Sequence, residues 1–162
     1  MAYETGARAD NLVGFNVGDL MESDGVASIK VRRSKTNQKG QGRRVPVLPD
    51  TLARLRAWIA ASGLDREGPD TPLFSPLSTK ARGSRLTRRD VARIFARRIS
   101  GKASGHSIRI GAAQDMRAAG FTNSDIAHAF GWKGDAMPAR YTQHLDAQDS
   151  PAVKLARLQG RV

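Results

Sequence analysis

The sequence contains no cysteine. That excludes disulfide staples, thiolate metal sites and thiol nucleophiles. Aromatic residues are few, with two tyrosines and two tryptophans, so every phenol that could act as a nucleophile is quickly located. No run of about 18 apolar residues occurs, the length a helix needs to cross a bilayer, and no membrane partner is expected. The opening, MAYETGARAD, has neither a basic stretch nor an apolar one and does not read as a signal peptide. Three histidines (His106, His128 and His144) without cysteines do not form a metal cluster at a familiar spacing. No G-x-x-x-x-G-K-[ST] phosphate loop and no G-x-S-x-G elbow is present. Neither a metal nor a cofactor is predicted.

Acids are scarce beside bases. The 162 residues carry 27 Lys and Arg against 15 Asp and Glu, a formal net charge of +12. The excess is localised: residues 1–24 are net −4, residues 25–110 net +15 and residues 111–162 net +1. Between Lys80 and Lys102 there are nine bases and one acid. So dense a stretch points to a polyanion, because each phosphate neutralised releases counterions. Arg33, Lys39, Arg43, Arg44, Arg82, Arg85, Arg88 and Arg89 are the candidate phosphate contacts. The length and the 40% apolar content suit one globular domain, residues 1–162.

Periodicity predicts a mainly α chain with one small antiparallel β-sheet, an α+β fold. Residues 8–16 start a short helix with Leu12 and Phe15 on one face. Ile29 and Val31 alternate as in a half-buried strand over 26–33, with Val26 out of step. Residues 42–48 give a second strand, and Pro46 marks an edge. The polar segment between them, SKTNQKGQ, suits a hairpin tip. A helix opens at Asp50 or Thr51, carries Leu52, Leu55, Trp58 and Ile59, and closes at Gly63. Residues 63–86 read as loop with an apolar island at Leu73 and Phe74. Thr87 with Asp90 starts a helix that turns Val91, Ile94, Phe95 and Ile99 inward. Further helices follow from Ser107 to Ala119, from Thr122 with Asp125 to Gly131, and from Asp135 to His144. A tail runs from Pro151 to Leu158.

Some residues could carry chemistry. His106 and Arg109 stand three apart at a helix start, where free N–H groups already favour anions. A guanidinium fork and an imidazole there make a phosphate site with a titratable partner. Arg8 follows Thr5-Gly6-Ala7, Lys35 lies on the hairpin tip, and Trp132 follows Gly131 nine residues before Tyr141. Taken singly, each also fits a solvated or packed residue.

Together and in this order they resemble the catalytic domain of tyrosine recombinases, the phage integrase family. The matching stretches are ETGARADNL, RRSKTNQKG, SGHSIRIGAAQDMRAAG and FGWKGDAMPARYTQHLD. The resemblance covers nearly the whole chain and implies a fold like that of DNA breaking–rejoining enzymes. It implies Arg8 and Arg109 as the two phosphate-binding arginines, Lys35 as the hairpin lysine and His106 as the histidine before the second arginine. Trp132 takes the position held by His or Trp, and Tyr141 that of the nucleophile. The implied reaction is site-specific recombination: tyrosine attacks a phosphodiester, a 3′-phosphotyrosyl intermediate forms, and a 5′-hydroxyl leaves. The implied partner is double-stranded DNA, bound by a homo-oligomer (a tetramer), and the implied location is cytoplasmic, at the nucleoid.

The chemistry agrees with those roles. Phosphoryl transfer gathers negative charge on non-bridging oxygens, which forked donors stabilise. Tyrosine ionises near pH 10, so neighbouring cations favour the phenolate. His106 is a candidate acid–base partner for that proton, and Lys35 for protonating the leaving oxygen. Two departures stand out. Where many family members have an acid three positions after the first arginine, this sequence has Asn11, with Asp10 just before it. The chain also begins seven residues before Arg8, without the DNA-clamping domain and first catalytic-domain helices usual in the family. The expectation is an N-terminally truncated domain that acts with a missing N-terminal domain or a second polypeptide, exposes apolar residues such as Leu12 and Phe15, and binds DNA weakly alone. The competing functional reading is a non-catalytic DNA-binding remnant of a recombinase. A type IB topoisomerase-like enzyme shares the tyrosine chemistry but is usually much larger.

Overall fold

In the computed structural model, residues 1–32, 42–64, 67–81, 83–99, 104–148 and 150–161 are described. The chain is mostly helical with one three-stranded antiparallel sheet. It divides into two compact units, residues 1–109 and 110–162. No described helix is long and apolar enough to cross a membrane.

The sheet of the first unit follows from alternation. Strand β2 (Val26–Val31) buries Ala27, Ile29 and Val31, while Val26 is left exposed. Strand β3 (Arg43–Val47) buries Val45 and Val47 and pairs antiparallel with it, Ile29 opposite Val45 and Ala27 opposite Val47. The inward set of β2 therefore runs through Ala27, and this explains why Val26 looked out of step. Pro46 lies in an edge strand, where a missing N–H does least harm. The hairpin tip expected between β2 and β3 lies outside the described residues.

Strand β1 (Leu20–Ser23) was not expected from the sequence. It pairs with β2 through the two-residue turn Asp24-Gly25, both at positive φ (52° and 77°). That is the backbone a tight hairpin needs, and Asp-Gly is its strongest short signal. The strand itself shows no alternation, since only Leu20 is even partly covered.

Helices close over the sheet. Helix α1 (Ala2–Thr5) ends in Gly6, and helix α2 (Ala9–Gly14) buries Leu12, with Phe15 buried just after it. Both residues expected to be exposed are thus core. Phe15 is 1% exposed, and its carbonyl accepts from the Leu73 N–H at 2.9 Å. Fully burying a side chain such as Ile29 or Leu73 contributes about 2–3 kcal/mol. Helix α3 (Pro49–Ser62) begins at Pro49, one residue before the expected start, because a first-turn proline needs no N–H. Its Trp58 Nε1 donates to the Leu73 carbonyl at 2.7 Å.

Helix α4 (Arg88–Arg98) has the expected Thr87–Asp90 capping box. Its inward residues are Val91 and Phe95, one turn apart. Ile94 is 45% exposed and Ile99 36% exposed, which corrects the expectation for both. Ile94 lies about 60° round the helix from Val91 at 100° per residue, and Ile99 is already extended at the C-cap.

Helix α5 (Gly105–Ala118) opens two residues before the expected start. Ser104 and Ser107 cap it reciprocally, each backbone N–H donating to the other's Oγ at 3.2 Å. In the second unit, Ala112 and Ala113 pack with Ile126, Ala127 and Phe130 of helix α6 (Asn123–Phe130) and with Trp132. The Thr122–Asp125 box and Gly131 bound α6 as expected. Helix α7 (Ala136–Gln148) runs four residues beyond His144. The tail is a helix, α8 (Pro151–Leu158), capped by the Ser150 hydroxyl; Leu155 and Leu158 on it are exposed.

Candidate active site

In the first unit the candidate residues gather at the turn Thr5-Gly6-Ala7-Arg8. Gly6 adopts a left-handed conformation (φ 58°, ψ 24°) that ends α1. Arg8 then extends (φ −76°, ψ 161°) and precedes α2. Its backbone N–H donates to Asn11 Oδ1 at 3.2 Å. The residue at the usual acidic position therefore caps α2, the helix that follows Arg8. Asp10 does not stand in for that acid: it is exposed and pairs with Arg88 at 3.0 Å.

Arg109 comes to the same turn from α5. It is 4% exposed, and its Nη1 donates to the Gly6 carbonyl. These residues are 103 positions apart in sequence. His106, one helical turn earlier, is exposed, so the pair expected on one side divides into an inward arginine and an outward histidine. The start of α5 is held close by Gly105. A Cβ there would stand 3.3 Å from the Phe95 ring and 3.9 Å from Ala9 Cβ, a close fit in which a larger residue requires the ring to give way.

In the second unit Tyr141 and Trp132 are in ring contact. Tyr141 is half-buried on α7, its ring 5.7 Å from that of Trp132 at 52°. Trp132 is buried and meets Phe130 edge-on at 5.4 Å. Its backbone N–H donates to the Ala127 carbonyl at 2.8 Å, which brings it back over α6 after the Gly131 turn. Gln114 Nε2 donates to the Tyr141 carbonyl at 3.1 Å. The tyrosine thus stands on an aromatic shelf, its ring direction set by packing and its backbone tied to α5.

Of the expected phosphate contacts, Arg33, Lys39 and Arg82 lie outside the described residues, as does Lys35. Arg88 and Arg89 are exposed on α4. Arg44 is exposed and donates to Ser28 Oγ at 3.0 Å, with its other nitrogen on Met21 Sδ. Arg43 is half-buried, and burial draws its pKa down. The Arg85 guanidinium turns onto its own chain. It donates to the carbonyls of Val13 and Phe15 and, at 2.7 Å, to Asn16 Oδ1.

Sequence reading passed over residues that shape this region. Asp19 is 2% exposed and accepts from the Asn16 N–H at 2.9 Å and from Arg32 Nε at 2.7 Å. The hydrogen bond to Asp19 raises the Arg32 pKa. Thr5, Gly6 and Gln114 were also missed. The Thr-Gly dipeptide before Arg8 was the one signal available, a turn cue at a helix end.

An α+β unit with an arginine-bearing turn, and a helical unit with a tyrosine on an aromatic shelf, carry the motifs noted in the sequence. Residues 1–148 match the phage integrase family, and the chain belongs to that family. Among individual proteins, it is 28% identical to the recombinase Cre of Escherichia phage P1 over 174 residues, covering 96% of this chain and 50% of that one. It spans about half the length of the curated relative it matches. Solved structures share its fold. XerA recombinase superposes with a TM-score of 0.66 at 19% identity, over 93% of this chain and 56% of that one. The integrase of transposon Tn1549, in complex with transposon right end DNA, gives 0.67 at 19% identity, over 98% and 56%. XerH site-specific recombinase, in a post-cleavage complex with its palindromic difH substrate, gives 0.65 at 20% identity, over 92% and 43%.

Proposed function

We propose that residues 1–162 form one catalytic domain of a site-specific DNA recombinase, which breaks and rejoins strands through a 3′-phosphotyrosyl intermediate. The observation that carries this reading is the tie between Arg109 and Gly6, which joins the two arginine motifs in one unit across 103 positions. Arg8 and Arg109 bind the non-bridging oxygens of the scissile phosphate, where forked donors oppose the charge that develops in transfer. Tyr141 attacks phosphorus. The P–O bond to the 5′-oxygen breaks as the O–P bond to the phenol forms, and the phosphoester is conserved for rejoining. His106, exposed at the start of α5, exchanges the phenol proton, and Lys35 protonates the leaving oxygen. Trp132 supports the Tyr141 ring. The exposed bases Arg44, Arg88 and Arg89, with Arg43, Arg33, Lys39 and Arg82, contact the DNA backbone. The DNA named with the Tn1549 integrase and the XerH recombinase supports double-stranded DNA as the partner. A homo-tetramer on DNA, cytoplasmic and at the nucleoid, completes the reading, together with an N-terminal DNA-clamping domain or second polypeptide.

Nicked duplexes that trap the cleaved strand test this reading. The expected product is a protein–DNA adduct that survives denaturation. It disappears in Tyr141→Phe and forms about 100-fold more slowly in Arg109→Ala, the usual cost of one transition-state donor. Tyr141→Phe keeps the ring on Trp132, so a retained cooperative melting transition separates loss of the nucleophile from loss of the fold. Retardation of DNA without an adduct would instead support the non-catalytic DNA-binding reading.

A further inference from the structure

We propose that Thr5 and Gly6 are positioning residues that set both arginines of the site, Arg8 through the chain and Arg109 through the Gly6 carbonyl. The inference rests on the recombinase reading for its consequence in catalysis, but not for its geometry.

Thr5 is fully buried at 0% exposure. Its hydroxyl donates to the Met1 carbonyl at 2.8 Å and accepts from the Ala7 N–H at 3.2 Å. One side chain therefore grips the backbone on both sides of Gly6. Gly6 itself has the left-handed backbone that side chains resist, and its N–H donates back to the Tyr3 carbonyl at 3.4 Å. With those bonds in place the Gly6 carbonyl has one direction, and that is where Arg109 Nη1 donates. A guanidinium is planar, so fixing one nitrogen and the side-chain stem orients the whole donor fork. Two residues on, the same backbone delivers Arg8, whose N–H is held by Asn11. The turn acts as a jig: it fixes one arginine by covalent connection and the other by a hydrogen bond. A merely structural turn would hold α1 and α2 together and leave the Arg109 guanidinium indifferent to Thr5.

The test has two arms, both on the 162-residue chain. In the first, arginine side-chain NMR follows the Arg109 Nη–H signals. Slow rotation and slow solvent exchange are expected in the parent and in Thr5→Ser, which keeps both hydroxyl bonds. Both protections should be lost in Thr5→Val, which keeps the shape and removes the bonds. Arg109 signals that are fast in the parent, or unchanged in a folded Thr5→Val, overturn the proposal. Should Thr5→Val lose its melting transition, Gly6→Ala takes its place with the same two outcomes, because a methyl group at the left-handed residue turns the carbonyl while Thr5 stays. In the second arm, adduct formation on nicked duplex should slow roughly tenfold or more in Thr5→Val with DNA retardation unchanged, and recover to within about threefold in Thr5→Ser. Equal rates in Thr5→Val and parent overturn the proposal. A parent that forms no adduct defeats the recombinase reading, and the NMR arm still decides the positioning role.

Discussion

Arg85→Ala is expected to destabilise the chain by about 2 kcal/mol and to leave the salt dependence of DNA binding unchanged. The guanidinium donates to the carbonyls of Val13 and Phe15 and to Asn16 Oδ1. Bonds from a charged donor contribute about 1.5–3 kcal/mol each when shielded. Arg85 is exposed, so water screens them, and about 0.5–1 kcal/mol per bond is the better figure. The Phe15 carbonyl keeps its Leu73 N–H partner, whereas Asn16, 4% exposed, loses a donor in a buried place. Urea unfolding measures the loss. Arg89→Ala is the contrast: Arg89 is exposed on α4, and its removal should change stability by less than about 0.5 kcal/mol. In gel retardation across a salt series, Arg89→Ala should lower the slope of log affinity against log salt by about 1, one phosphate contact fewer. An Arg85→Ala protein as stable as the parent, with the slope reduced as in Arg89→Ala, would refute the reasoning and make Arg85 a phosphate ligand.

Two further outcomes test the packing and the caps. Ile126→Ala, at a residue with 0% exposure, should cost about 3–4 kcal/mol in urea unfolding, while Ile94→Ala should cost under about 1 kcal/mol; equal losses would mean that Ile94 faces the core after all. Hydrogen bonds from the Thr122 hydroxyl and N–H hold the Asp125 carboxyl below its ordinary range. The folded pKa is the lower one, so this contribution is complete above about pH 5 and fades as pH falls through about 4 and below. Asp125→Asn should flatten that part of the melting-temperature profile, and an unaltered acid profile would count against the cap.

The parts of the fold that were legible are those written locally. Thr87 with Asp90, and Thr122 with Asp125, announce helix starts because the partners are three residues apart and need nothing else. The β2–β3 pairing was legible because Ile29, Val31, Val45 and Val47 alternate, and alternation survives any tertiary context. Strand β1 escaped because its residues lie on a solvated face, and its cue was the Asp24-Gly25 turn rather than hydrophobicity. The inward placement of Ile94 failed for a related reason. Several apolar residues on one helix do not all face the core when Val91 and Phe95 already fill the contact. In the candidate site, motif order is what nominates Arg8, His106, Arg109, Trp132 and Tyr141. The bond between Arg109 and Gly6 was not legible, since no local pattern records which carbonyl a side chain 103 positions away will choose.

That separation bears on how the protein is made. Ribosomes extend chains at about 5–20 residues per second, so Gly6 waits roughly 5–20 s for Arg109 to be synthesised. Contacts between ends so distant also close late, after nearer ones have formed. A nascent or prematurely terminated polypeptide lacking α5 therefore carries the Thr5–Arg8 turn without its second guanidinium. The bond between Gly6 and Arg109 becomes possible only when translation has passed the sheet and α4, so the turn at the start of the chain is completed by a residue made two-thirds of the way along it.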